Sequence, residues 1–143
     1  MNDHGKYELL DRDGGFPLPD GSVDLLYGIS VMTHLSEYHG HKWLEEIRRV
    51  VRPGGAIILT THGEACVYTR PHHLALPFIE EFGFFDGIPD GALGDAHRGY
   101  YRATYHSRAY LKKYWAKYFD ILDVIPAANA FVQDFVVLAV PPD

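Results

Sequence analysis

Apolar and polar positions are patterned most clearly between Phe16 and Gly63. Pro19-Asp20-Gly21-Ser22 is turn chemistry: proline presets φ, aspartate caps locally and glycine accepts positive φ. Val23 to Ile29 is short and mostly apolar, the pattern of a strand covered on both faces, in which Asp24 becomes a buried carboxylate needing a partner or a cap. Trp43, Leu44, Ile47, Val50 and Val51 then recur at helical spacing, opposite Lys42, Glu45, Glu46, Arg48, Arg49 and Arg52. Arg52-Pro53-Gly54-Gly55 ends that helix, because proline cannot continue it and glycine accepts a left-handed cap. Ala56 to Thr60 resumes as a second apolar strand. Strand, helix and strand in close succession form a βαβ unit, which predicts a parallel sheet and an α/β fold.

The flanking segments are less regular. Met1 to Lys6 is polar, and Tyr7 to Leu10 reads as a short strand. Arg70 to Phe82 predicts a helix starting near Pro71, with Leu74, Phe78, Ile79 and Phe82 apolar and a break or kink at Pro77. Phe84 to Arg102 is rich in glycine and aspartate and has no period, which predicts a long loop of the lid or binding kind. Ser107 caps a helix whose buried stripe is Tyr110, Leu111, Tyr114, Trp115 and Tyr118. Phe119 to Ile125 and Phe135 to Val140 read as strands joined into a hairpin through Pro126 to Ala130.

Composition narrows the class without naming a function. The 143 residues suit one small domain, and 47% hydrophobic with 14% aromatic residues is a globular balance. A net charge of −6 argues against nucleic acid as substrate, since phosphate binding needs a basic face. No apolar run approaches the ~20 residues that span a bilayer, and no charged-then-apolar leader opens the chain. The single cysteine, Cys66, rules out an intrachain disulfide and fits a reducing, cytoplasmic setting. Among the nine histidines, His39-x-His41 and His72-His73 lie closest, but neither has cysteine or carboxylate companions at zinc spacing, so no metal is expected. A hydrolase is disfavoured by the absence of a G-x-S-x-G elbow.

The run P-L-P-D-G-S-V-D-L-L-Y-G-I-S-V-M-T-H-L, followed by W-L-E-E-I-R-R-V-V-R-P-G-G and an apolar strand, closely resembles class I S-adenosylmethionine-dependent methyltransferases. It matches the middle of their domain, from just before the fourth strand to the end of the fifth. Tyr105-His106-Ser107, Tyr114 to Phe119 and Gln133 to Leu138 resemble the last helix and closing hairpin of one bacterial branch. The family's glycine-rich cofactor turn has no counterpart here: Gly14-Gly15 opens into Phe16-Pro17, not a helix. The resemblance therefore implies the C-terminal half of a Rossmann-like domain, a mostly parallel sheet ending in an antiparallel hairpin. Residues 1–143 would be one partial domain, with 1–15 a remnant of the third strand and its loop and 84–105 a lid-like loop. The strand that flanks Val23–Ile29 in the family is missing, which predicts an open edge and self-association through it.

Ligands of open α/β sheets bind beyond the carboxyl ends of the strands. By resemblance, Gly28, Ile29 and Ser30 flank S-adenosyl-L-methionine, and Asp13 lies near an acidic contact to its adenine. His34 aligns with a family histidine; it is a ligand contact or a helix-start residue bonded to backbone. His62 leaves a strand at its carboxyl end and is either a site residue or an exposed loop histidine. Tyr100, Tyr101 and Tyr105 are candidate acceptor contacts or caps on the core with wet hydroxyls. His62, His34 or His106 would serve as general base if the acceptor is a hydroxyl. The expected activity is methyl transfer to a small-molecule or glycan-type acceptor, weak or absent in this chain alone. The alternative is a catalytically silent α/β module that associates with a partner.

Overall fold

The computed structural model describes residues 15–69, 75–89 and 102–142. The chain forms β1 (Val23–Gly28), a 3₁₀ turn (Met32–His34), α1 (Glu37–Val50) and β2 (Val51–Thr61). Then come α2 (Glu64–Thr69), α3 (Leu76–Phe82), β3 (Phe84–Pro89) and β4 (Arg102–His106). α4 (Arg108–Tyr114), a 3₁₀ turn (Trp115–Lys117), β5 (Asp120–Asn129) and β6 (Gln133–Ala139) complete the order.

β1 and β2 pair in parallel, as the βαβ pattern predicts, and the antiparallel hairpin β5–β6 joins them through β6. The sheet order is β1-β2-β6-β5, with β1 at an edge. Pairing puts Leu26, Ile57 and Leu138 on one face with Gly28, Leu59 and Val136. That face carries the main core, filled by Leu44, Ile47 and Val50 of α1 and by Leu111, Trp115 and Phe119 from α4 onward. Ser36 caps α1 by accepting from the His39 amide, and Ser107 caps α4 by accepting from the Tyr110 amide.

The opposite face differs from expectation. Leu25 and Tyr27 lie there, beside Ala56 and Ile58 of β2, and Tyr27 is 73% exposed. β1 is thus covered on one face only among the described residues. Asp24 is correspondingly exposed and paired with Arg52 at 2.5 Å, not buried. The turn before β1 is clamped to α1 by Arg49, whose guanidinium donates to the Phe16 and Leu18 carbonyls and bridges Glu46 and Asp20. Glu46 in turn accepts from the Phe16 amide, and the Arg49 hydrogen bond holds its carboxyl below the usual range.

The segment expected as a loop over 84–105 is a β-hairpin at its two ends, β3 paired with β4. Aromatic and β-branched residues such as Phe84, Phe85, Thr104 and Tyr105 carry the ladder, although glycine and aspartate hide their alternation. Of the helix expected over 70–82, residues 70–74 lie outside the described residues and Leu76–Phe82 is helical, with Pro77 in its first turn, where no amide hydrogen bond is lost. α2 has no clear sequence signal. It packs Cys66 and Val67 against Ala103 and Tyr105 in a second small core. Tyr7–Leu10 lies outside the described residues.

Candidate functional site at the carboxyl edge of the sheet

The strand directions bring Gly28–Ser30, Thr60–His62, Asn129 and Gln133-Asp134 to one end of the sheet. Ser30 follows β1 in a left-handed conformation (φ 57°), unusual for a residue with a Cβ. Two partners fix it. Its amide donates to Thr60 Oγ1 at 2.7 Å, and its hydroxyl accepts from Gln133 Nε2 at 2.9 Å. Gly28 sits against Leu59 and Val31, where a Cβ would come within 3.0 Å of Leu59 Cδ2. An apolar groove of about 270 Å³, bordered by Phe16, Leu26, Gly28, Val31, Trp43 and Leu59, runs along the edge of β1 beside this turn.

His34 and His62 meet edge-on, with ring centroids 6.1 Å apart. Both are held by β4: His34 Nδ1 lies 3.0 Å from the Arg102 carbonyl oxygen and His62 Nδ1 lies 3.2 Å from that of Thr104. A carbonyl only accepts, so Nδ1 carries the proton in each ring and Nε2 is the basic nitrogen. The β4 strand also pairs with the end of β2, the His106 amide donating to the His62 carbonyl at 2.9 Å. The hairpin that sequence reasoning took for loop is therefore the scaffold that orients both imidazoles.

His106 itself is not at this edge's surface. It is buried among Phe84, Tyr110 and Trp115, with centroids 5.0, 5.7 and 5.4 Å away. Burial, with the neighbouring His62 and His41, pushes its pKa down to about 3. A neutral, enclosed imidazole is core and not a base for an incoming acceptor, which corrects the expectation for His106. Tyr105 is likewise buried, its ring 5.2 Å from that of His62, so it backs the histidine and does not face an acceptor. Asp13, Tyr100 and Tyr101 lie outside the described residues, as do His72 and His73.

Sequence reasoning missed Thr60, Asn129, Gln133 and Asp134. All are polar residues at strand ends, which periodicity treats as punctuation. Asp134 is buried, accepts from the Ala127 amide at 2.8 Å, and abuts Gly63, where a Cβ would collide with its carboxylate. Burial raises its pKa. His39 and His41 do not form a ligand pair: His39 bonds Ser36, while His41 sits between the Tyr110 and Tyr118 hydroxyls. Among the described residues no group of three His, Cys, Asp or Glu is placed to hold a metal.

Comparison with known proteins bears on both sequence and fold. Residues 4–59 match the methyltransferase-domain family model. Over 57 residues the chain is 30% identical to the tRNA N(3)-cytidine methyltransferase METTL2 of Danio rerio, covering 40% of this chain and 16% of that protein. A SAM-dependent methyltransferase of Methanosarcina mazei superposes with a TM-score of 0.62 at 17% identity, over 90% of this chain and 64% of that one. The 1,6-didemethyltoxoflavin-N1-methyltransferase of Burkholderia thailandensis, solved with that compound and S-adenosylhomocysteine, gives 0.54 at 14% identity, over 94% and 48%. The chain thus spans less than two thirds of the length of each of these relatives.

Proposed function

We propose, starting from a chain with the class I S-adenosylmethionine-dependent methyltransferase fold, that the carboxyl edge of its sheet takes part in methyl transfer from S-adenosyl-L-methionine to a hydroxyl or similar group. The observation that carries this reading is the pair His34, in the 3₁₀ turn after β1, and His62, just past the end of β2, each with Nδ1 against a β4 carbonyl. The described residues fit one flank of the cofactor. Ser30 offers a held backbone beside Gly28 and Ile29, and the adjoining apolar groove suits a flat, uncharged ring of the cofactor. Bound there, the cofactor supplies a methyl group on a positively charged sulfur. The chain's own part is to align the acceptor, exclude water and move one proton. His62 Nε2 would take the acceptor's proton as its oxygen becomes the nucleophile, with Tyr105 packed behind the ring to keep its angle.

The acceptor class is part of the proposal. Ser30, Asn129 and Gln133 are neutral hydrogen-bonding groups, and with the neighbouring Asp134 and a net charge of −6 they favour a small-molecule or glycan-type hydroxyl over a polyanion. A second reading, transfer to RNA, is favoured by the likeness to a tRNA methyltransferase. We also propose that the chain self-associates through the edge of β1, which pairs with no second strand among the described residues and lies beside exposed Leu25, Tyr27 and Ile29. No helix among the described residues is long and apolar enough to cross a membrane.

Titration of the 143-residue chain with S-adenosylhomocysteine tests the core of this reading. Micromolar binding, followed by transfer of a labelled methyl group into a small-molecule or glycan pool, supports it. Label retained by RNA would select the second reading. No binding by a chain with a folded circular dichroism spectrum would leave the silent interaction module.

A further inference from the structure

Gln133 opens β6 and is buried, yet every end of its carboxamide is engaged. Nε2 donates to Ser30 Oγ at 2.9 Å, and Oε1 accepts from Asn129 Nδ2 at 2.9 Å while lying 3.2 Å from the same Ser30 hydroxyl. The two residues it joins are both tied to unusual backbone. Ser30 is left-handed. Asn129 starts the β5–β6 turn, closed by the Val132 amide donating to its carbonyl at 3.1 Å. Both central residues of that turn, Ala130 and Phe131, have positive φ (52° and 59°) without being glycine or asparagine. Phe131 is 90% exposed at the tip. Such conformations persist only where the surroundings over-determine them. Here Thr60 holds the Ser30 amide and the Val132 amide closes the turn, while one amide side chain, reaching across β2 from the hairpin, joins the two.

We propose that Gln133 is a positioning residue for the Gly28–Val31 turn: it transmits the geometry of the β5–β6 turn to Ser30 and so sets the backbone that flanks the cofactor. This rests on the cofactor placement proposed above. A bidentate amide is suited to the task because its planar donor and acceptor fix two neighbours at once. A residue that merely filled space would couple neither.

The test is a double-mutant cycle with Gln133→Leu and Ser30→Gly, read by S-adenosylhomocysteine titration and, without ligand, by amide exchange at residues 28–31. Gln133→Leu keeps bulk and loses both hydrogen bonds. It should speed exchange at Ser30 about tenfold and weaken binding by a similar factor. Ser30→Gly accepts positive φ unaided and has no hydroxyl to hold, so in that background Gln133→Leu should change neither quantity. Equal exchange and equal affinity for Gln133→Leu and the parent chain, or equal effects in both backgrounds, would overturn the proposal. If Gln133→Leu does not fold, Asn129→Ala takes its place, with the same direction expected and an unchanged Ser30 exchange rate overturning it. Should the parent chain bind no S-adenosylhomocysteine, the cofactor placement fails by itself. The exchange cycle then still decides whether Gln133 positions Ser30.

Discussion

At the scale of single residues, the histidines divide by environment. His62, partly exposed and hydrogen-bonded through Nδ1, keeps a basic Nε2 at the carboxyl edge; His62→Ala should lower methyl transfer by about 10²–10³-fold with little change in melting temperature. A rate within a factor of two of the parent chain would remove His62 from the mechanism. His106 works in the opposite sense. Its folded pKa of about 3 lies below its ordinary 6.5, so between these values the unfolded chain binds the extra proton. Its contribution to stability is therefore complete above about pH 6.5 and is lost as pH falls toward 3. In urea unfolding from pH 7 to pH 4, His106→Phe should flatten the fall in stability, and an unchanged slope would show that other groups carry it. Both histidines stand out in the sequence as candidate bases, His62 at the end of a strand and His106 just before a helix. What separates them, enclosure by Phe84, Tyr110 and Trp115, depends on contacts between distant segments that no local spacing encodes.

At the scale of elements, the strongly periodic segments were legible and the ones held by tertiary contacts were not. α1 shows its stripe in the sequence because one helix face packs on the sheet, and its stop at Val50 follows from the proline and glycines after it. The β5–β6 hairpin was equally plain, although β5 runs on through Pro126 to Asn129. β3, β4 and α2 gave little signal. Each is short, and each is stabilised by a small shared core of Cys66, Val67, Ala103 and Tyr105 rather than by its own pattern. The turn before β1 depends on a similar long-range clamp. Arg49→Met, which removes donors to the Phe16 and Leu18 carbonyls, should raise amide exchange through residues 16–22 while leaving β5–β6 unaffected, and unchanged exchange there would show that the turn holds without it. Gly63→Ala drives a methyl into the Asp134 carboxylate, which the Ala127 amide holds in place; a loss of about 1–3 kcal/mol by chemical denaturation is expected. A neutral result would mean that α2 shifts freely at its start.

At the scale of the whole molecule, the sheet is lopsided. α1 and α4 lie on one face, and the other shows Leu25 and Tyr27 beside an edge that pairs with no other strand among the described residues. Sequence reasoning took Val23–Ile29 as covered on both faces because a continuous apolar run says that a surface wants covering, not what covers it. If self-association buries this surface, Tyr27→Lys should shift light scattering toward the monomer and lower the concentration dependence of melting. A monomeric parent chain at high concentration would end that proposal. The spatial order β1-β2-β6-β5 has a different consequence for how the chain is made. β2 lies in the interior of the sheet, yet the strand that closes its second side, β6, is the last of the sheet to be synthesised. While β5 and everything before it emerge from the ribosome, β2 has no partner on that side and β5 has no sheet to join. The pairings of β2 and of β5 with β6 are thus settled together in one late step, and chaperone dependence during translation should concentrate in the interval before β6 appears.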